Sequence, residues 1–258
     1  MWILQFEREY DRIEHQYGGR DERPIRCFYL ENRNKEGIRH EGTHNILTDS
    51  FWKILLPGLK VTLPLTAIAF AMALVIAIFV ALIQFANVKV LKQIARVYIW
   101  VIRGTPLIVQ LYLVFYGISG LGYLINPFVC AAFVLAINEG AYCAETMRAA
   151  LEAVPVGQLE AGYCAGMKYH QIIRRIVLPQ AMRTAFPPLS NSLLSMMKDT
   201  SLVASITVAE MFMAAQRIVA RTYEPLLVYT EVALMYLAFS TVLTWLQHLG
   251  EKRLNRYR

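Results

Sequence analysis

Long apolar stretches without charge dominate the middle of the chain. Residues 61–88 contain no Asp, Glu, Lys or Arg, and neither do residues 104–138. A bilayer core of about 30 Å needs about 20 apolar helical residues, so each stretch is long enough to cross a membrane. Residues 104–138 are too many for one crossing at about 1.5 Å per residue. Their glycines and the turn-forming pair Asn126-Pro127 therefore predict a helical hairpin.

The same pattern predicts about five membrane-spanning helices in residues 51–258. They cover approximately residues 57–84, 94–117, 127–150, 176–197 and 225–247. Residues 207–222 have apolar positions at helical spacing, which predicts an amphipathic helix at the membrane surface. The predicted fold class is an all-α integral membrane protein.

Residues 1–50 are polar and form no predicted span. They carry eight Lys or Arg and ten Asp or Glu, with glycine and proline breakers. We interpret them as a flexible, extra-cytoplasmic tail, or as a start-site extension absent from the mature protein. The segment His40-Glu41-Gly42-Thr43-His44 matches H-E-x-x-H, which signals zinc hydrolysis only on a helix. Gly37 and Gly42 oppose a helix, so a zinc-dependent membrane protease is a remote alternative and no metal site is predicted.

Composition and charge agree with a membrane protein. The chain is 56% hydrophobic and 17% charged, whereas soluble domains are about 45–50% apolar and about 25% charged. Its net charge is +7, but the basic residues lie at the ends of apolar segments, which argues against nucleic-acid binding. Residues 84–103, residues 148–183 and the residues after 247 contain four, five and four Lys or Arg, whereas residues 118–127 contain none. The positive-inside rule therefore predicts a cytoplasmic C-terminus.

Residues 152–179 form a polar loop with the pattern of helix, glycine break and helix. Pro155 suits the start of a helix, and Gly166 allows the backbone to reverse. The second helix has apolar residues on one side, and Pro179 is expected to end it. No nucleophile is paired with a base in this loop. The pattern therefore favours a loop that docks on a partner over a catalytic site, with an ordinary connecting loop as the alternative.

The spacing in this loop resembles the EAA loop of bacterial ATP-binding cassette (ABC) importer permeases. The matching positions are Glu160, Ala161, Gly162, Gly166, Ile176, Leu178 and Pro179. Gly162 stands where that family usually has alanine, and glycine inside a helix costs about 1 kcal/mol relative to alanine. The resemblance implies the type I importer permease architecture, in which these residues form the coupling loop for a separate ATPase.

Further motifs resemble the polar amino acid branch of that family. The signature positions are Arg103, Thr105, Pro106, Gln110, Glu145, Lys198 and Asp199. The segment Pro187-Pro188-Leu189-Ser190-Asn191-Ser192, together with Ala215-Gln216, is similar to L-cystine permeases. The resemblance extends from about residue 55 to residue 258, and the first 47 residues have no counterpart in it.

The resemblance implies a mechanism with several partners in the bacterial cytoplasmic membrane. Two permease chains, identical or paralogous, form a pathway through the bilayer. An ATPase dimer docks on their coupling loops, and a periplasmic or lipid-anchored binding protein delivers a polar amino acid. Cystine is the favoured substrate, with arginine, glutamine and histidine as alternatives. The chain lacks the phosphate loop G-x-x-x-x-G-K-[ST], so ATP and Mg²⁺ are expected on the ATPase, and this chain is expected to bind no cofactor and to be no enzyme.

Polar residues inside the predicted spans are candidates for the substrate pathway. Charged groups in a bilayer are costly and often functional, and Glu139 lies near the middle of the third span. Asn191 and Ser195 follow a Pro-Pro pair in the fourth span, an arrangement tolerated where protein or water surrounds the helix. We predict that Glu139, Asn191 and Ser195 line the route. Glu145 and Arg148, three residues apart on one helix, are predicted to pair.

Two rival functions explain less of the sequence. Stand-alone secondary transporters commonly contain internal repeats, and none is evident in the five predicted spans. A receptor-like membrane scaffold explains the helices but not the spacing in residues 152–179.

Overall fold

The computed structural model describes residues 47–85 and 89–255, and in this part of the chain all regular structure is helical. The helices are α1 (Leu47–Gln84), α2 (Lys89–Gly104), α3 (Leu107–Gly120), α4 (Pro127–Glu152), α5 (Val156–Cys164), α6 (Tyr169–Ile206), α7 (Met211–Thr222) and α8 (Pro225–Asn255). Three of them, α1, α4 and α8, are long and apolar enough to cross a membrane, and the number rises to five if the bent pairs α2–α3 and α6–α7 each count as one span. The predicted fold class is thereby confirmed.

Helix α4 is the centre of the bundle and packs against α1, α2, α3 and α6. Its contact with α1 depends on small side chains. One face of α1 buries Leu65, Ala69, Ala73, Ala77 and Ala81. A Cβ atom added to Gly140 of α4 would come within 2.9 Å of the Ile76 Cγ2 atom. Small residues let helix backbones approach closely inside a membrane, which gains dispersion energy where no hydrophobic effect acts.

The span predicted over residues 94–117 is sharply bent in the structure. Helices α2 and α3 meet there at an angle of 102°. Pro106 has extended backbone angles (φ −63°, ψ 138°) and has no N–H group with which to continue α2. The residue before a proline is also biased away from the helical region, so Thr105 belongs to the break. An apolar composition continues through these residues, and hydropathy therefore could not detect the change of direction.

The expected helix end at Pro179 is wrong, because α6 continues through it. A π-helical turn, Ile173–Val177, precedes the α-helical segment Leu178–Asp199, and a 3₁₀ segment, Thr200–Ile206, follows it. Pro179 is therefore in the first turn of an α-helical segment, where a missing N–H group costs little. Pro187 and Pro188 lie inside the same segment.

Three further boundaries differ from the predicted ones. Helix α1 already begins at Leu47, ten residues before the predicted start of the span at residue 57. Thr207 has a left-handed backbone (φ 65°), and Glu210 caps the next helix, so α7 begins at Met211 rather than at residue 207. Helix α8 extends to Asn255. The H-E-x-x-H segment, residues 40–44, lies outside the described residues.

Candidate functional site

A cavity of about 780 Å³ lies at the break between α2 and α3. Helix α4 contributes Asn138, Glu139 and Tyr142 to its wall, and the break contributes the five residues from Arg103 to Leu107. Helix α6 contributes a third side, formed by Pro188, Asn191, Ser192, Ser195, Asp199 and Leu202. The three predicted pathway residues, Glu139, Asn191 and Ser195, are thus brought together with four of the family-signature positions, Arg103, Thr105, Pro106 and Asp199.

Gln110 holds the break in place from behind the cavity. Its side-chain Nε2 donates to the Ile102 carbonyl oxygen at 2.8 Å and to the Thr105 hydroxyl oxygen at 2.7 Å. Its Oε1 accepts a hydrogen bond from the Asn138 Nδ2 at 3.0 Å. One side chain therefore satisfies a carbonyl that α2 loses at the break and fastens the break to α4. A buried carbonyl without such a partner would cost about 1–3 kcal/mol.

The cavity wall carries charges of both signs. The Arg103 guanidinium lies over the Tyr142 ring, 5.1 Å from its centroid, which is a cation–π contact. Glu139 is buried, within reach of the Ser192 hydroxyl, and its Oε1 is 3.8 Å from the Cys143 sulfur. Asp199 is half-buried. One cation, two carboxylates and several amide and hydroxyl groups can bind a molecule with both ammonium and carboxylate groups.

Besides Gln110, two family-signature residues do not line the cavity. Glu145 lies farther along α4 and forms an ion pair with Arg148, as predicted, and the Arg148 Nη1 atom also bonds the Glu152 carboxylate at 2.5 Å. These three residues therefore form a row along α4, from the cavity end towards α5. Lys198 is exposed.

The loop residues form a second, separate site. Helix α5 begins after Pro155 and ends in a Schellman motif, in which the Met167 N–H donates to the Gly162 carbonyl at 3.0 Å. Gly166 supplies the left-handed backbone that this motif requires (φ +74°). Glu160 and Ala161 are exposed on α5, and Leu178 and Pro179 are exposed at the start of the α-helical part of α6.

This loop has a small core of its own. Val154, Ile172, Val177 and Ala181 are buried together, and partly buried apolar residues surround them, namely Leu151, Leu159, Met167, Ile173 and Ile176. Because Leu151 belongs to α4, the core joins α4, α5 and α6 into one stiff unit. The α5 segment is therefore packed against both helices that border the cavity.

Sequence reasoning missed several residues of functional interest. Asn138 and Tyr142 are one residue before and three residues after Glu139, and helical spacing could have placed Tyr142 on the same face. Glu210 gave no signal, because a single acid after Val-Ala reads as an ordinary loop residue. It is fully buried, accepts the Met213 N–H at 2.7 Å and receives the Tyr236 hydroxyl at 3.0 Å.

Comparison with known proteins identifies the family. Residues 73–256 match the model of the binding-protein-dependent transport system inner membrane component. The chain belongs to this family. The permease is 42% identical over 214 residues to the L-cystine transport system permease protein TcyB of Bacillus subtilis, covering 83% of this chain and 92% of TcyB. It is 37% identical over 219 residues to TcyL of the same organism, covering 82% and 91%.

Solved structures agree with this assignment. The permease superposes on a chain of an amino acid ABC transporter crystallised with histidines, with a TM-score of 0.74 and 34% identity over 78% of this chain and 94% of that chain. A chain of the MetNI methionine ABC transporter shares the fold, with a TM-score of 0.67 at 18% identity. The permease is therefore a multi-pass inner-membrane subunit of an amino acid ABC importer and not an enzyme. Its family works with an ATPase and a binding protein.

Proposed function

We propose that this permease imports L-cystine through the cavity at the α2–α3 break. We further propose that a separate ATPase drives this transport through the loop of residues 152–179, which contains α5. The observation that carries this proposal is the convergence of Glu139, Asn191 and Ser195 on one cavity of about 780 Å³. These residues belong to two different helices, and a helix break provides the opposite wall. Small-molecule sites commonly measure about 300–1,000 Å³.

The charges of the cavity suit a zwitterionic cargo. Each half of cystine carries one ammonium and one carboxylate group, and both need partners once they leave water. Arg103 offers donors to a carboxylate, and Glu139 and Asp199 offer acceptors to ammonium groups. The similarity to TcyB and TcyL supports cystine within the polar amino acids. Arginine, glutamine and histidine have the same α-amino and α-carboxylate groups and are the competing substrates.

The loop between α4 and α6 is the proposed coupling element. Glu160 and Ala161 on α5 would contact the ATPase, which would hold ATP and Mg²⁺. The compact core of the loop and the open backbone turn at Gly166 support this role. The positive-inside rule supports a cytoplasmic position for this loop, for the α1–α2 connection and for the C-terminus. A second permease chain, identical or paralogous, completes the pathway, and a periplasmic or lipid-anchored binding protein supplies the cargo.

Uptake by the reconstituted importer tests the cavity assignment. The permease is assembled in liposomes with its ATPase and binding protein, and entry of labelled cystine is measured for Glu139→Gln, Asn191→Ala and Ser195→Ala. Each loss of a hydrogen bond to the cargo is expected to lower kcat/KM about 5- to 10-fold. Ser190→Ala is the matched control on α6, because its hydroxyl bonds its own helix at the Phe186 carbonyl oxygen, 2.9 Å away. Unaltered uptake kinetics in all three variants would contradict the assignment.

Competition identifies the cargo. A tenfold excess of unlabelled arginine, glutamine or histidine is added to the same assay. The proposal expects little inhibition by these amino acids and full inhibition by unlabelled cystine. Strong inhibition by arginine together with weak inhibition by cystine would show that arginine is the cargo, and the assignment of the cavity would be unchanged.

A further inference from the structure

Helix α2 carries a row of basic side chains. Lys89, Lys92, Arg96 and Arg103 are separated by three, four and seven residues, which places them on one face of the helix. The helix contains no Asp or Glu. Lys89, Lys92 and Arg96 are exposed, and within the described residues none of the three forms an ion pair with a carboxylate. No carboxylate of the described residues therefore neutralises their positive charge by direct pairing.

The other faces of α2 have different uses. Ala95 and Ile99 are buried against the bundle, and the Tyr98 hydroxyl donates to the Ile137 carbonyl oxygen of α4 at 2.6 Å. A third face is apolar and exposed, with Ile94 60% and Val97 49% accessible. That apolar face suits lipid, whereas the basic row lies between the lipid-compatible face and the bundle.

The basic row leads into the cavity. Arg103 lines the cavity wall at the end of α2. Arg96 lies two turns before it, about 10 Å along the helix, and Lys92 and Lys89 follow within about a further 10 Å. In the orientation proposed above, the Lys89 end of α2 is cytoplasmic. The row therefore runs from the cavity to the side on which the cargo must be released.

We propose that the basic face of α2 is the exit path of the cargo, along which carboxylate groups pass from Arg103 to Arg96, Lys92 and Lys89. The proposal rests on the proposed function and adds a direction and a release route to it. Exposed, hydrated ammonium and guanidinium groups attract a carboxylate over a distance of about 8–10 Å without holding it tightly. Successive cations at this spacing offer each carboxylate of the cargo a new partner as it leaves the previous one. Cystine, with two carboxylates, can contact the next cation before it leaves the previous one.

Charge removal tests the path in the reconstituted importer. The double variant Lys92→Gln/Arg96→Gln is expected to lower the maximal rate of cystine uptake about 10-fold with an unchanged KM. Arg96→Lys in an otherwise unaltered chain keeps the charge and is expected to retain most of the rate. The matched control is Lys252→Gln/Arg253→Gln, which removes two cations from the last turn of α8 and should leave uptake unchanged. Normal uptake by the α2 double variant would overturn the proposal.

Cysteine labelling separates a water-filled path from a lipid contact. Single cysteines replace Lys92, Arg96, Ile94 or Val97 in a chain whose four native cysteines are alanine. A negatively charged methanethiosulfonate is then applied from the cytoplasmic side. Reaction at positions 92 and 96, slowed by saturating cystine-loaded binding protein, together with little reaction at 94 and 97, supports the path. Protection of 92 and 96 by phosphatidylglycerol but not by phosphatidylcholine would show that the row binds anionic headgroups instead.

The two proposals fail in different ways. If the cavity assignment is wrong, the Glu139, Asn191 and Ser195 variants transport normally. If only the exit path is wrong, those variants remain impaired while the α2 variants transport normally. Thermal stability of the α2 variants is measured in parallel, and the cysteine labelling tests the path if the double variant folds poorly.

Discussion

Gly162 of α5 and Ile172 of α6 lie in direct contact. A Cβ atom built on Gly162 would be 2.8 Å from the Ile172 Cγ1 atom and 3.0 Å from its Cδ1 atom. Both residues are buried, and Ile172 has no accessible surface. Ile172 therefore occupies the space that an alanine at position 162 would need. Glycine at position 162, where the family usually has alanine, therefore makes room for the large Ile172 side chain.

Gly162→Ala should destabilise the loop although alanine is the better helix former. The gain in helix propensity, about 1 kcal/mol, is outweighed by overpacking, which typically costs about 1–3 kcal/mol. Gly157→Ala on the same helix is the control, because nothing lies within 4 Å of its added Cβ. Apparent melting temperatures in detergent micelles should fall for Gly162→Ala alone.

A double-mutant cycle tests the cause of that loss. Ile172→Ala should cost less stability in the Gly162→Ala background than in the unaltered chain, because the added methyl group then has room. Equal costs in the two backgrounds would show that the two side chains are not coupled.

Gly166 should be needed for its backbone conformation alone. Its φ is +74°, and an added Cβ meets nothing within 4 Å. Gly166→Ala is therefore expected to cost about 1–2 kcal/mol through the left-handed backbone, and Gly166→Asn less, because asparagine tolerates that region. The measurements are the melting temperature and co-purification of the ATPase. If both variants capture the ATPase as well as the unaltered chain does, the turn at Gly166 has no role in coupling.

Gln110 should stabilise the break at which α2 and α3 meet. Gln110→Leu leaves the Ile102 carbonyl and the Asn138 amide without their partner and should cost about 2–4 kcal/mol, on the basis of about 1–3 kcal/mol for each unpaired buried group. Gln93→Ala on the exposed side of α2 is the control. A melting temperature for Gln110→Leu equal to that of the control would show that water replaces the side chain.

Glu210 should be the main anchor of α7. Its carboxylate accepts the Met213 N–H and the Tyr236 hydroxyl, so Glu210→Ala is expected to cost about 3 kcal/mol. Glu210→Gln keeps one oxygen acceptor and should lose about half as much. Tyr236→Phe should cost about 1 kcal/mol, whereas Tyr223→Phe, 84% exposed, should cost nothing measurable. Chemical unfolding in mixed micelles measures all four.

The sequence was sufficient where one local signal determines the structure. Asn126 caps α4 through the Phe128 N–H at 2.9 Å, and the helix begins at Pro127, where the turn signal lay. The Glu145–Arg148 pair and the backbone reversal at Gly166 also follow from spacing and residue type. Hydropathy identified apolar segments because the bilayer requires a minimum length of them.

The sequence was insufficient where the structure depends on the direction in which a helix continues or on contacts between separate elements. Pro106 and Pro179 are both prolines in apolar helical surroundings, yet the first ends a helix and the second does not. The difference depends on Gln110, which supports the break, and on the π-helical turn before Pro179, which neither motif nor period reveals. The cavity likewise forms only when α4 and α6 lie next to that break.

Helices α1 and α4 pack closely together and are expected to move as one rigid unit. Ala69, Ala73 and Ala77 of α1 are fully buried, and the Ile76 side chain packs so close to Gly140 that α4 has no room for a Cβ atom there. Opening the cavity first to one side of the membrane and then to the other must therefore leave the packing of α1 against α4 intact. We expect α6 to bend instead, because Pro187, Pro188 and the π-helical turn before Pro179 interrupt its regular backbone hydrogen bonds.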